Sequence, residues 1–304
     1  MRPALVLGPV QFNWPPEKWR DFHFRVADEA PVDCVHVGEV VCAKRAPFVA
    51  PYLPDVVERL ERSGKEVVVS TLALIGGERD AAMIRELVAG TDRLIEANDL
   101  GVVQLLAGRP HMIGPMVNVY NEHALAFLAA RGAVRVCLPA ELPAASLAAL
   151  AAAPDPVELE VLAFGRVPLA ISARCFHARA HGLHKDGCRY VCGNDPDGLA
   201  VDTVEGRAFL AVNGTQTLSH AYANIAGEVG AIMAMGIGRL RLAPHDCDMV
   251  GVATVFHRLA AGEIELDAAQ ARLRDLLPGR AFANGFFHAA PGHREIRQAL
   301  ADPE

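Results

Sequence analysis

The sequence lacks an apolar run long enough to cross a membrane. No segment reaches about eighteen apolar residues without a charge or a turn, and the closest, 144–153, is an alanine-rich helix former. The apolar start of the chain is interrupted at Pro9 and lacks the small-residue cleavage pattern of an export signal. We therefore predict a soluble protein that works in the reducing cytoplasm.

Positive charge and the common hydrolase motifs are also scarce. The 29 Lys and Arg residues are outnumbered by 36 Asp and Glu, which gives a formal net charge of -7, and no basic run stands out. Nucleic-acid binders normally present a basic face, so a nucleic-acid partner is not expected. The sequence contains neither a G-x-S-x-G nor an H-E-x-x-H motif. The two hydrolase chemistries that depend on those motifs are therefore not expected.

The seven cysteines are an odd number, which argues against a simple disulfide framework. In a reducing compartment, clustered cysteines indicate metal binding or redox chemistry instead. Cys34 and Cys137 lie inside apolar, strand-like segments, where cysteine usually serves as a small core residue. Cys247 lies in the sequence His-Asp-Cys-Asp, and we place it at a helix N-terminus without a metal.

Apolar, β-branched runs alternate with amphipathic stretches through most of the chain. This alternation predicts βαβ units around a parallel sheet. About eight such units in one domain, residues 1–304, fit a (β/α)8 barrel, and an open doubly wound sheet is the alternative. The predicted strands are 4–7, 34–37, 66–70, 93–96, 112–118, 134–138, 159–162, 209–213 and 239–242, and the predicted helices are 53–63, 78–89, 122–131 and 146–153.

One stretch, residues 165–205, shows little helical periodicity and is rich in Cys, His, Gly and Asp. A connection of that length is uncommon in a compact domain unless it carries function. It contains Cys175, Cys188 and Cys192 in the spacing C-x12-C-x3-C. We predict that this insertion loop binds a metal centre through these three thiolates.

The fourth ligand is expected where the loop can fold back onto the barrel. Cys42 follows the second predicted strand, at the strand end where barrel enzymes place their sites. Structural zinc sites usually use a C-x2-C pair, so the wider C-x3-C spacing favours an iron–sulfur cluster. Zinc with three cysteines and one histidine stays open, because His177, His181 and His184 lie in the same loop.

Several motifs in the same order resemble peptidase family U32, and in particular its UbiV group, which acts in anaerobic ubiquinone biosynthesis. The likeness extends to about residue 250. The matching stretches are Leu7–Val10 with Trp14-Pro15, Gly38–Cys42 with Lys44-Arg45, Ser70–Leu74, Glu96–Val103, Asn118–Asn121, Glu160–Gly165 with Ser172–Phe176, the C-x12-C-x3-C loop and Asn213–Thr217. One departure is Val167–Ala170, where the family signature usually carries a further cysteine and glycines. That departure puts a proteolytic role in doubt.

The resemblance implies a cofactor, a pathway and partners. UbiV proteins carry a [4Fe-4S] cluster on four cysteines that correspond here to Cys42, Cys175, Cys188 and Cys192. They pair with a UbiU-type U32 protein, a lipid-binding accessory protein belongs to the same pathway, and the system hydroxylates the ubiquinone ring without molecular oxygen. The rival readings are a zinc-stabilised scaffold without chemistry and a U32 enzyme acting on tRNA or a peptide.

Glu39 is the one candidate for catalysis. It lies three residues before Cys42, at a predicted strand end, where a carboxylate could act as a general base. A salt bridge to Lys44 or Arg45 is the alternative role.

Overall fold

Eight parallel strands close into a barrel in the computed structural model, which describes residues 2–154 and 157–297. Each of the first seven barrel strands pairs with its neighbour along the chain. The eighth, β11 (Arg239–Leu242), pairs with both the first, β1 (Ala4–Leu7), and the seventh, β7 (Glu158–Ile171). The ring is therefore complete, which confirms the predicted (β/α)8 barrel and rules out the open sheet. The barrel strands are β1 (Ala4–Leu7), β2 (Cys34–Val37), β3 (Glu66–Ser70), β4 (Ile95–Ala97), β5 (His111–Ile113), β6 (Ala133–Cys137), β7 (Glu158–Ile171) and β11 (Arg239–Leu242).

Helices cover the outside of the barrel, and all four predicted helices are found with ends within two residues. Asx side chains cap the starts of two helices among the described residues: Asp99 accepts a hydrogen bond from the Gly101 N–H at 2.7 Å, and Asn121 accepts one from the Ala124 N–H at 2.9 Å. No helix among the described residues is both long and apolar enough to span a membrane. The helices are α1 (Pro16–Glu29), α2 (Ala46–Val49), α3 (Leu53–Arg62), α4 (Glu78–Ala89), α5 (Leu100–Leu105), α6 (Glu122–Ala129), α7 (Ala144–Ala151), α8 (Phe176–Ala180), α9 (Val229–Ala234), α10 (Met249–Ala260) and α11 (Leu266–Leu276).

The barrel has two apolar layers, because successive side chains of a strand point to opposite faces. The larger layer lies between strands and helices, whereas a small one lies inside the barrel. Cys34 and Cys137 are buried in the inner layer, which confirms that they are core residues. The inner layer consists of Val6, Cys34, Val68, Met112 and Cys137.

Charged side chains fill the rest of the barrel interior. The Arg241 guanidinium donates to Glu96 Oε1 at 2.6 Å and also to Glu160, and all three side chains are buried. Burial by itself would raise the pKa of Glu96, but Arg241 and the neighbouring His36 outweigh it and hold that pKa well below its ordinary value. The interior charges are therefore paired with one another.

Strand β7 continues beyond the barrel, which corrects part of the predicted loop. The C-terminal half of β7 pairs antiparallel with β10 (Gln216–Asn224), so residues 165–171 are strand rather than loop. The predicted strand at 209–213 exists, but it belongs to this outer sheet and not to the barrel. The outer sheet consists of β8 (Leu199–Asp202), β9 (Ala208–Asn213), β10 (Gln216–Asn224) and the short β12 (Phe282–Ala283).

Residues 172–198 remain as the connection between β7 and β8. Even this segment is ordered by α8 and by two 3-10 turns, Lys185–Gly187 and Val191–Asn194. The predicted strand at 112–118 is likewise shorter, since it ends at Ile113 and a 3-10 turn follows. Sequence periodicity does not distinguish such turns from short strands.

Candidate metal centre

Four cysteines from two distant parts of the chain line one small cavity. Cys42 follows β2, whereas the other three belong to the segment after β7, so the cavity lies at the C-terminal ends of the barrel strands. Cys175 and Cys192 are buried, and Cys42 and Cys188 are partly exposed. The sequence-predicted ligands are thus brought together. The cavity is lined by Cys42, Lys44, Arg45, Cys175, Lys185, Cys188, Tyr190, Val191, Cys192 and Gly214.

The turn that carries Cys42 is built around the Glu39 carboxylate. One oxygen of Glu39 accepts hydrogen bonds from the backbone N–H groups of Val41 at 2.8 Å and of Cys42 at 3.0 Å. Burial raises the pKa of Glu39, and Arg45 together with these N–H groups opposes that rise. Gly38 begins the turn at a φ of 112°, where a Cβ would lie 2.4 Å from the Ser70 carbonyl oxygen. The structure therefore gives Glu39 a role in shaping the turn, and its catalytic role stays a prediction.

Cys175 forms the N-terminal cap of α8. Its sulfur accepts a hydrogen bond from the Ala178 N–H at 3.4 Å. Burial raises the pKa of the Cys175 thiol and of the Cys42 thiol, and the Arg45 cation acts in the opposite direction on both. Each of these two sulfurs therefore has a cation and a backbone N–H group beside it, and both of these favour the thiolate.

The short link between Cys188 and Cys192 adopts an unusual backbone. Arg189 and Tyr190 both have left-handed conformations, with φ of 49° and 54°. This conformation costs residues with a side chain about 1–2 kcal/mol each. The Tyr190 ring packs edge-on against Phe48, with ring centroids 4.7 Å apart, and this contact holds the link in place. The strained link lets both cysteines line the same cavity.

Arg45 is the buried cation of this cavity. In the sequence analysis it was considered as a salt-bridge partner for Glu39. The side chain is buried, and its two hydrogen bonds go to the Gln11 carbonyl oxygen at 2.7 Å and to Asn213 Oδ1 at 3.0 Å. Within residues 2–154 and 157–297, its Nε has no hydrogen-bond partner. Burial would lower the pKa of Arg45, but Glu39 and the thiols of Cys192 and Cys42 raise it overall. A buried cation without a hydrogen-bonded carboxylate favours anionic thiolates beside it.

The hairpin between β9 and β10 supports the Cys42 turn. Thr215 donates a hydrogen bond to the Val41 carbonyl oxygen at 2.9 Å, and Gln216 donates to Gln11 Oε1 at 2.6 Å. Gly214 lines the cavity at a φ of 64°, where a Cβ would lie 2.5 Å from an Arg45 nitrogen. The stretch Asn213–Thr217, already one of the matching motifs, was the signal in the sequence that could have identified this hairpin as part of the site.

Two lysines add positive charge at the open side of the cavity. Lys44 Nζ donates to the Lys185 carbonyl oxygen at 2.7 Å and lies 3.4 Å from Asp186. This contact joins the Cys42 turn to the segment of Cys188. Because Lys185 also lines the cavity, three cationic side chains surround the four sulfurs.

The remaining candidates lie outside the cavity. His177 and His181 belong to α8 and its end, and His184 Nδ1 accepts from the Gly187 N–H at 3.2 Å. None of these three histidines lines the cavity. Cys247 lies just before α10, as predicted, with its sulfur 3.5 Å from the Met249 sulfur.

The fold and site together define a class, a (β/α)8 barrel with a thiolate-lined cavity at the C-terminal ends of its strands. The family model of peptidase family U32 matches residues 20–297, and the chain belongs to that family.

Solved structures of similar fold include the U32 peptidase Mk0906, at 12% identity and a TM-score of 0.46, covering 80% of this chain and 94% of that one. A tryptophan synthase complex from Pyrococcus furiosus is similar at 12% identity and a TM-score of 0.40, covering 90% of this chain and 97% of that one.

Proposed function

We propose that the protein binds a [4Fe-4S] cluster through Cys42, Cys175, Cys188 and Cys192. We further propose that it acts with a UbiU-type partner in the oxygen-independent ring hydroxylation of ubiquinone biosynthesis. The observation that carries the proposal is the single cavity lined by four cysteines. When bound, such a cluster supplies one-electron transfer and orders the polypeptide that holds it.

The spacing of the sulfurs favours a cluster over a single zinc ion. Tetrahedral zinc with Zn–S bonds of about 2.3 Å places its sulfurs about 3.8 Å apart. Among the described residues, no three cysteine sulfurs all lie within 4.8 Å of one another, nor does a histidine join them. A cluster spreads its four thiolates over the corners of a larger object. The donor set is also all thiolate, which suits iron–sulfur chemistry.

The charge around the cavity fits an anionic occupant. Four thiolates carry more negative charge than a cluster core offsets, so a protein that holds them needs cations nearby. Arg45 is buried against the sulfurs, and Lys44 and Lys185 line the more open side. These cations stabilise thiolates and affect the cluster's reduction potential.

The surface beside the cavity is suited to a partner protein. Phe48 and Tyr190 are 39% and 40% exposed, although they pack against each other over the Cys188–Cys192 link. Exposed aromatic side chains are enriched where proteins bind one another. The choice of the ubiquinone pathway rests on the order of motifs that resemble the UbiV group.

The first experiment measures iron, sulfide and zinc in protein purified without oxygen. About four irons and four sulfides per chain are expected, with a broad absorbance near 400 nm that is lost in air. The Cys188→Ala protein should lose the iron, whereas Cys247→Ala, outside the cavity, should keep it. Normal iron in Cys188→Ala contradicts the ligand assignment. Stoichiometric zinc without the absorbance supports the scaffold reading instead.

The pathway is tested separately in cells. A strain that lacks its own UbiV-type protein should regain anaerobic ubiquinone synthesis with this chain and not with Cys188→Ala. Co-purification with the UbiU-type protein is expected in the same cells. A wild-type chain that loads its cluster, binds no UbiU-type protein and restores no ubiquinone would contradict the pathway while leaving the cluster intact.

A further inference from the structure

A second group of metal-binding side chains lies in the cysteine-bearing segment but outside the cavity. Ligand atoms of His177, His181 and Asp195 all lie within 4.8 Å of one another. None of the three residues lines the cysteine cavity. Two imidazoles and one carboxylate form a ligand set that zinc-type divalent cations bind.

The two histidines are placed by helical periodicity. His177 lies in α8, and His181 follows four residues later, so both side chains lie on one face of that helical turn. Their rings are nearly parallel, with an interplanar angle of 10° and centroids 5.5 Å apart. With this arrangement, one ring nitrogen of each histidine lies close to the Asp195 carboxylate.

The protonation of His181 is fixed by the backbone. Its Nδ1 lies 3.0 Å from the His177 carbonyl oxygen, which can only accept a hydrogen bond. In the neutral ring, Nδ1 therefore carries the proton and Nε2 has the lone pair. Metal-binding histidines show this arrangement, in which one ring nitrogen donates to a carbonyl group and the other coordinates.

His177 and Asp195 supply the buried side of the group. The His177 side chain is fully buried, and its Nε2 lies 2.9 Å from Asp195 Oδ2. In the absence of a cation this is a hydrogen bond. The same separation is within the range of two ligands bound to one ion, and the Asp195 carboxylate supplies negative charge.

We propose that His177, His181 and Asp195 bind one zinc-type divalent cation, with a fourth position open to solvent beside the exposed His181. The site joins α8, which begins after Cys175, to the segment just beyond Cys192. Occupancy therefore ties together the two ends of the segment that presents three cysteines to the cavity. The ligand set is complete without any cysteine, so the site does not depend on what occupies the cavity.

The test is equilibrium dialysis of anaerobically purified protein against zinc chloride, with wild type, His181→Gln, Asp195→Asn and a control, His123→Gln. His123 is an exposed histidine at the start of α6, remote in sequence from this site. Wild type and His123→Gln should bind about one zinc per chain at this site. His181→Gln and Asp195→Asn should bind it about tenfold or more weakly, because even outer partners of a metal change affinity by that factor.

Iron and sulfide are measured on the same samples. His181 is exposed, so His181→Gln should keep its iron while losing zinc. If the cavity itself holds zinc, wild type and His181→Gln each bind one additional zinc ion. The difference in zinc content between the two proteins then persists. The proposal is overturned if wild type binds no zinc beyond the cavity ion, or if His181→Gln and Asp195→Asn bind as tightly as wild type.

Discussion

Two buried arginines occupy opposite electrostatic situations in this protein. Arg241, inside the barrel, donates to the carboxylates of Glu96 and Glu160. Arg45, beside the cysteines, donates to two uncharged oxygens, and its Nε has no hydrogen-bond partner among the described residues. The first cation is neutralised by the barrel itself, whereas the second is not hydrogen-bonded to a carboxylate in the described part of the chain.

The difference separates the barrel interior, where the buried cation is paired with carboxylates, from the cavity, where the buried cation is hydrogen-bonded to uncharged oxygens. Buried charges are tolerated when they are paired and become costly when one partner is missing. The barrel satisfies this condition with its own residues. In the cavity, Arg45 instead lies beside Glu39 and the cysteine thiols, a charge arrangement that is consistent with the anionic occupant proposed above.

The largest effect is expected from breaking the barrel's own pair. Arg241→Met leaves two buried carboxylates without their cation and should lower the free energy of unfolding by about 3–5 kcal/mol. Urea unfolding of cluster-free protein measures this. Arg93→Met, which breaks an exposed pair with Glu61, should lower it by about 1 kcal/mol or less. Equal losses in the two variants would contradict the distinction.

A smaller effect on stability, with a clear effect on the cofactor, is expected from Arg45→Met. Cluster-free protein should lose about 1–2 kcal/mol, less than Arg241→Met, because Asn213 still donates to the Gln11 carbonyl oxygen at 2.7 Å, whereas the nearby Glu39 carboxylate loses a cation. Loaded protein should lose its absorbance in air several times faster than wild type, since thiolates lose their nearest cation.

Arg45→Lys is the matched control, because it keeps the charge and removes the planar donor fork. Its bleaching rate should lie between those of wild type and Arg45→Met. Identical bleaching rates for all three proteins would contradict a role for Arg45 in stabilising the thiolates.

The smallest effect concerns pH. The folded protein holds the pKa of Glu96 well below its ordinary value. Ionised Glu96 therefore stabilises the folded state, and this contribution is fully present above about pH 4.3, the pKa of an unfolded glutamate. The contribution is lost as the pH falls from there through the folded-state pKa. Between about pH 5 and pH 3, wild type should therefore lose stability more steeply than Glu96→Gln, which does not titrate. Urea unfolding at the two pH values compares the slopes, and parallel slopes would contradict the assignment.

The barrel could be predicted from the sequence because its signals are local. Apolar strands buried on both faces alternate with amphipathic helices, and the period of each is visible in short windows. Closure is not local, since it depends on pairing of Arg239–Leu242 with strands at both ends of the chain. The far half of β7 was missed for the same reason, because its partner lies some fifty residues later in β10.

The four cysteines could be predicted to meet because residue type and strand-end position identify them. Their surroundings could not be predicted in the same way. Arg45 reads in the sequence as a surface charge beside Lys44, and only the packing of the β9–β10 hairpin buries it. Asn213 ends a predicted strand and Thr215 lies in a matching motif, and neither position reveals their hydrogen bonds to Arg45 and to the Val41 carbonyl oxygen.

The distance along the chain between Cys42 and the other three cysteines also sets the order of maturation. Five barrel strands are synthesised between Cys42 and Cys175, and the hairpin that supports the Cys42 turn follows Cys192. During synthesis, therefore, the supported arrangement of the four cysteines is not complete until the outer sheet has formed. If the proposed cluster binds there, its donor meets a folded surface rather than a nascent chain. A protein that has lost the cluster in air should then accept a new one without being synthesised again.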